Sequence, residues 1–302
     1  MVKAIVYKPL IWIKHGLILA FIFAAALFPL FGFMQIASGL VKQDNRKVVE
    51  TVPFNARSID ATSANPQLFK EPLITITFDD GRNTVYSQAF PVLQKYGIHS
   101  TQYLISGTID DQAYVSPKQI DQMYKAGHEI ACHTVTHRDI TTLSAIELTN
   151  ELTQCQKTFS KYAPVSNFAS PYGHTNDKSL DIIKKYYLSH RNTNGDITNG
   201  ISDKDVNTAQ NFDRYNIISA AIRHDTTEEQ LRAAVEYTIK NNGWLVLTYH
   251  QIEDTENATF GLDPDSLGSQ LEYLSRAPVR IVTMKQVVNT LDNKDVAVSP
   301  GF

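Results

Sequence analysis

Between residues 73 and 292, short apolar runs alternate with amphipathic segments. This alternation restricts the chain to a layered α/β architecture built on parallel strands. Strands are expected over 73–78, 99–105, 129–132, 165–169, 187–190, 244–249 and 279–283. Helices are expected over 87–96, from Ser116-Pro117 to Gly127, and over 144–161, 176–186, 227–240, 265–275 and 285–292. Ser116 reads as an N-cap with Pro117 in the first turn, Ser144 and Glu147 as a capping box, and Thr226 as the cap of the helix over 227–240. Periodicity does not separate a closed barrel from an open doubly wound sheet.

The first apolar run ends in Phe78-Asp79-Asp80-Gly81, and His133-Thr134-Val135-Thr136-His137 follows the run Glu129-Ile130-Ala131-Cys132. In α/β folds the carboxyl ends of strands are where sites are built. One carboxylate and two imidazoles make a zinc-type ligand set that leaves a coordination position open. The second carboxylate is then free to act as a base on a metal-activated water. Adjacent aspartates alone are usually solvated turn residues, and a lone His-x-x-x-His is more often coincidence. The two together, each after a strand, are far more specific.

Thr77-Phe78-Asp79-Asp80-Gly81 and His133-Thr134-Val135-Thr136-His137 resemble the first two motifs of the polysaccharide deacetylases, carbohydrate esterase family four. Ser170-Pro171-Tyr172-Gly173 is similar to that family's substrate-groove motif, and Leu245-Val246-Leu247-Thr248-Tyr249-His250 to its late strand ending in a histidine. The resemblance covers roughly residues 72 to 290 in the family's motif order. It implies a distorted (β/α)7 TIM-like barrel and a metal-dependent hydrolase. The hydrolase would remove N-acetyl groups from N-acetylhexosamine units of an envelope or extracellular polysaccharide. It also implies roles: Asp80, His133 and His137 for the metal, Asp79 as base, His250 as acid, and the Tyr172 N–H, beside Pro171, for the oxyanion. Leu247 is expected to help line the pocket for the acetyl methyl. The metal is expected to be zinc, with cobalt, nickel or iron also suited to such ligands. Two other readings compete, an O-acetyl polysaccharide esterase and a non-catalytic glycan-binding member of the fold.

Two departures from the family pattern stand out. Ala169 occupies the position, two residues before Pro171, where the family often carries an arginine that orients the catalytic aspartate. Arg191 and Arg223 are the candidates to replace it, each near a predicted strand end. The usual fourth motif, an aspartate with a tryptophan, is not recognisable between 191 and 243, the nearest stretch being Arg223-His224-Asp225. His128, His174, His190 and His224 read as ordinary exposed or half-buried residues, with His174 the one placed to touch substrate.

Residues 16 to 34 carry no charge and follow Lys3, Lys8 and Lys14. That length suits a bilayer span with its N-terminus inside. A signal-anchor over 16–37 is favoured over a signal peptide cut near Ala37-Ser38-Gly39. The expected order is a cytoplasmic N-terminus over 1–15, the anchor, a polar linker over 38–70 and one catalytic domain over 71–295. That domain lies outside the cytoplasm, membrane-anchored, or secreted if the segment is cleaved. The formal net charge of −3 and the lack of a basic stripe argue against nucleic acid as a partner. Cys132 and Cys155 are the only cysteines, and two buried thiols are favoured over a disulfide.

Overall fold

The computed structural model describes residues 68–253 and 258–292. The chain runs β1 (Leu73–Asp80), α1 (Phe90–Lys95), β2 (Thr101–Leu104), α2 (Pro117–Lys125), β3 (Glu129–Cys132), α3 (Ala145–Phe159), β4 (Asn167–Ala169), α4 (Asp177–Tyr186) and β5 (Ser189–Arg191). It continues through β6 (Ala220–Ala221), α5 (Glu228–Lys240), β7 (Trp244–Tyr249), α6 (Pro264–Arg276), β8 (Arg280–Ile281) and α7 (Met284–Leu291). The sheet is parallel in the order β5-β4-β3-β2-β1-β7-β6, with β8 added beside the start of β1. Isolated parallel bridges from Arg191 to Ile217 and from Gly195 to Ala220 carry hydrogen bonding from β5 onward to β6. The sheet is therefore curled, with helices outside it.

Side-chain alternation along the strands sorts the core into two layers. Ile74, Ile76 and Phe78 of β1 face outward and pack with Leu93 of α1, Leu231 of α5 and Leu267 of α6. Leu73 faces inward with Tyr103, Ala131, Ala169, Trp244 and Val246. The inward polar residues of β1 are paired: the Trp244 Nε1–H donates to Thr75 Oγ1 at 2.9 Å, and the Thr77 hydroxyl donates to the Leu247 carbonyl at 3.1 Å. Asp79 continues this inward series at the end of the strand.

Several boundaries differ from the sequence expectation for local reasons. The helix expected from 87 opens as a π-type turn, Val85–Ala89, and becomes α-helical only at Phe90. Pro91 has no N–H with which to complete the earlier turn. Thr227, not Thr226, caps α5, accepting from the Gln230 N–H. The Thr226 hydroxyl instead accepts from the Arg223 N–H at 2.9 Å. β6 is only two residues long and carries no periodic signal that would mark it in sequence.

The cysteines also depart from expectation, because Cys132 and Cys155 form a disulfide. Cys132 faces outward from β3, and Cys155 sits on the inward stripe of α3 with Leu148, Leu152 and Phe159. Their Cα atoms are 6.1 Å apart, within disulfide reach. A cross-link over such a loop stabilises by roughly 3 kcal/mol through the unfolded chain's entropy.

His128 and His190, expected at exposed or half-buried positions, are buried. His128 Nδ1 accepts from the Ser100 N–H, and burial together with nearby His99 pushes its pKa down to about 4. His190 stands within β5 and donates from Nδ1 to the Tyr215 carbonyl, so its Nε2 accepts from the Ser170 hydroxyl. Burial pushes its pKa down to about 4 as well.

The expected N-terminal tail 1–15, anchor 16–37 and most of the linker 38–70 lie outside the described residues. Among the described residues no helix is long and apolar enough to cross a membrane.

Candidate active site

Adjacent strand residues normally point to opposite faces of a sheet. Asp79 and Asp80 nevertheless both approach His133, at 3.9 Å and 3.7 Å from its Nε2. The backbone explains this. Asp80 has φ 71°, which swings its carboxylate round to the side where Asp79 already points, and Gly81 follows at φ 82°. A Cβ on Gly81 would also sit 2.9 Å from a Leu104 methyl.

Asp80, His133 and His137 bring one ligand atom each to within 4.8 Å of one another. His137 Nε2 is 3.3 Å from Asp80 Oδ1. His133 Nδ1 is 2.8 Å from the Ala169 carbonyl, which can only accept. The proton is thereby fixed on Nδ1, and the Nε2 lone pair faces Asp80, as metal ligation requires. Burial raises the Asp80 pKa, but the hydrogen bond from His137 and the charges of His133, His250 and His137 outweigh it and hold the group well below the usual carboxylate range. Burial lowers the His133 pKa against the pull of Asp79 and Asp80, favouring the neutral imidazole that ligates metal. The donor set fits a divalent cation.

Asp79 is almost fully buried and is held by Arg191. Arg191 Nη2 donates to both carboxylate oxygens, at 2.6 Å each. The guanidinium is itself buried over the Tyr103 ring, 4.8 Å from its centroid, and Nη1 donates to the Asn192 carbonyl and the Ser219 hydroxyl at 3.3 Å each. Arg191 and Ala169 are register partners across β4 and β5. The arginine absent at 169 is thus present one strand over, and the small Ala169 side chain lines the same interior. Arg223 is not at Asp79. It follows β6, and the charge it influences is Asp196.

Four of the six non-glycine residues with positive φ among the described residues belong to this site: Asp80, Thr134, His137 at 58° and Tyr172 at 60°. Such conformations cost about 1–3 kcal/mol each and persist only where the surroundings enforce them. Tyr172 lies in the turn Pro171–Gly173 and is 59% exposed, its ring 4.9 Å from that of His137. Pro171 is buried beneath it. A Cβ on Gly173 would strike Thr193 Oγ1 at 2.3 Å, so the turn is pressed against the loop after β5.

His250 directly follows β7. Its ring lies 4.8 Å from that of Phe260, and its Nδ1 is buried without a hydrogen-bond partner. Burial lowers its pKa, opposed by the nearby carboxylates of Asp79 and Asp80. Leu247 does not line the site. Trp244 and Val246 point inward, Thr248 reaches inward to Thr77, and Leu247 therefore packs outward with Ile222 and Leu231. His174 is exposed on the rim, paired with Asp139 at 2.8 Å. His224 lies with Thr259, its N–H donating to that carbonyl at 3.3 Å.

Residues 67–189 match the family model described as polysaccharide deacetylase. The chain is 27% identical over 180 residues to the poly-beta-1,6-N-acetyl-D-glucosamine N-deacetylase of Staphylococcus aureus, which is 54% of this chain and 59% of that protein. It is 29% identical over 117 residues to the putative polysaccharide deacetylase YxkH of Bacillus subtilis, or 38% of this chain and 42% of that one. The chain thus spans about half the length of these relatives. In fold it is similar to the Xyl-CE4 domain of a multidomain xylanase from a Trinervitermes trinervoides hindgut metagenome. That likeness has a TM-score of 0.52 at 20% identity over 76% of this chain and 96% of that one. A family 4 acetyl xylan esterase from Clostridium thermocellum gives a TM-score of 0.51 at 20% identity over 73% and 92%.

Proposed function

The chain belongs to the polysaccharide deacetylase family, and on that premise we propose that it is a metal-dependent hydrolase of N-acetyl groups on an envelope or extracellular N-acetylhexosamine polymer. The observation that carries this reading is the convergence of a buried, arginine-held Asp79 with the ligand set Asp80, His133 and His137. The named activity of the Staphylococcus aureus relative supports the amide of a poly-N-acetylglucosamine as substrate. Exposed aromatic rings support a glycan: of the three large apolar side chains exposed among the described residues, Tyr172 and Phe260 flank the site. Such rings suit the apolar faces of sugars on either side of the scissile group.

A divalent cation held by Asp80, His133 and His137 would polarise the acetyl carbonyl and the attacking water. Asp79 takes the proton from that water as its oxygen adds to the carbonyl carbon. The Tyr172 backbone N–H faces the oxyanion that develops. His250 gives a proton to the nitrogen as the C–N bond breaks, leaving acetate and a free amine. Arg191 holds both oxygens of Asp79 so that the base meets the water in one orientation. The curled sheet is taken as a distorted (β/α)7 TIM-like barrel. Residues 16–37 are taken as an anchor that leaves this domain outside the cytoplasm.

One observation favours a second reading, O-acetyl esterase action. Burial lowers the His250 pKa and its Nδ1 has no partner, so its protonated form is poorly supported. An ester's alkoxide leaves with less need of a proton than an amine does. Matched N-acetyl and O-acetyl oligosaccharides separate the two. The N-deacetylase reading expects acetate from N-acetylglucosamine oligomers at a kcat/KM at least equal to that on acetylated xylan oligomers. Release from the esters alone would replace it with the esterase reading.

A further inference from the structure

We propose that Glu151 of α3 is a positioning residue for the metal site, fastening the loop that carries both histidine ligands in its binding conformation. The inference rests on the metal-dependent reading above. Glu151 is buried, although it lies on a helix far from the reacting atoms in sequence. Its hydrogen bonds come from two of the three residues between His133 and His137. Oε2 accepts the Val135 N–H at 2.7 Å and the Thr136 N–H at 2.9 Å, and Oε1 accepts the Thr136 hydroxyl at 2.6 Å.

That loop needs fastening. Thr134 has φ 67° and His137 has φ 58°, both in the left-handed region that β-branched and bulky residues avoid. The loop is held on three sides. At its start, the Cys132–Cys155 disulfide ties the residue before His133 to α3, and Cys155 lies one turn beyond Glu151 on the same helix face. Across from α3, the Ser106 and Gly107 N–H groups donate to the Thr134 and Val135 carbonyls at 3.0 Å each. Within the loop, the His137 N–H donates to Thr134 Oγ1 at 2.9 Å. Glu151 supplies the only side-chain acceptor from α3 in this set, and it binds the two N–H groups that point away from Ser106 and Gly107. With these donors released, the left-handed residues relax and His137 leaves the position facing Asp80. Ligand preorganisation of this kind alters metal affinity about 10–100-fold.

The test is zinc affinity of the full chain by competition with a chromogenic chelator, beside the melting temperature of metal-free protein. Glu151→Ala is expected to weaken zinc binding about 10–100-fold. Glu151→Gln is expected to recover most of it, because the amide oxygen accepts both N–H groups and its NH2 donates to the Thr136 hydroxyl. Thr136→Val removes one bond without emptying the helix face and is expected to weaken zinc binding several-fold while lowering the metal-free melting temperature by only a few degrees, about 2–4 °C per kcal/mol lost. If wild type binds zinc and Thr136→Val and Glu151→Ala bind it equally well, the positioning role is overturned while the metal reading stands. If wild type binds no zinc, the metal reading fails and takes this inference with it. If Glu151→Ala does not fold, Thr136→Val against Glu151→Gln decides: equal affinity to wild type in both overturns the proposal.

Discussion

Asp79→Asn is expected to lower acetate release at least 10³-fold while the protein still takes up metal. A positioned general base contributes about 10²–10⁴-fold, and asparagine keeps the size of aspartate without its ability to take a proton. The loss falls near the top of that range because the polar groups beside it are occupied, Asp80 and His133 by the cation they would hold and the others by one another. Arg191 and the inward-facing polar groups Thr77, Thr248 and Ser219 are committed to one another or to backbone. Metal uptake persists because Asp79 is outside the ligand set of Asp80, His133 and His137. Acetate release and bound metal, measured on the same zinc-loaded sample, check this. A variant retaining a tenth of wild-type turnover would remove Asp79 from the role of base.

Arg191→Met is expected to have the largest effect on stability. The arginine is fully buried and its partner carboxylate is 2% exposed. Removing one member of a buried pair leaves the other uncompensated and costs about 3–5 kcal/mol. In a domain of this size that lowers the melting temperature by about 10 °C. The surviving folded protein loses turnover too, because Asp79 is no longer held by both oxygens. A second substitution sharpens the claim. Ala169 stands directly across the β4–β5 ladder from Arg191, one strand spacing away. Ala169→Arg placed in the Arg191→Met background is expected to regain part of both losses, since it returns a guanidinium to the interior from the neighbouring strand. Thermal melts and steady-state acetate release on wild type, Arg191→Met and the double variant check both statements. An Arg191→Met protein as stable and active as wild type would show that the ion pair does neither job.

Much of the site was legible in the sequence because it lies at strand ends. The run from Leu73 to Phe78 carries no charge and is rich in β-branched residues, as a strand buried on both faces tends to be, so the carboxylates that follow mark its end. Cys132 and His133 alternate across β3, which put the ligand inward and the sulfur outward. Arg191 was legible as a charge beside a strand, whereas only the register of β4 against β5 shows that it substitutes for the position at Ala169. Leu247 was assigned to the wrong face. Counting from Trp244, whose indole reaches Thr75 inside the sheet, would have placed it outward. β6 was missed because two alanines carry no pattern, and it is defined by its pairing with β7 and its bridge to Gly195. Glu151 was passed over because a glutamate on an amphipathic helix usually points to water. The signal was its position, next to Leu152 and one turn before Cys155 on the stripe that packs inward. The disulfide depended on how closely α3 packs on β3, a distance no spacing in the chain encodes.

In the proposed reaction, one metal ion at Asp80, His133 and His137 is needed for hydrolysis. The direct measurement strips the full chain with chelator and titrates zinc back while following acetate release from N-acetylglucosamine oligomers. Release should fall to background on stripping, return in proportion to added zinc and level off at about one ion per chain, the capacity of a single three-residue site with an open position. Release that is unchanged by stripping, or that returns equally in His137→Gln, would contradict the account.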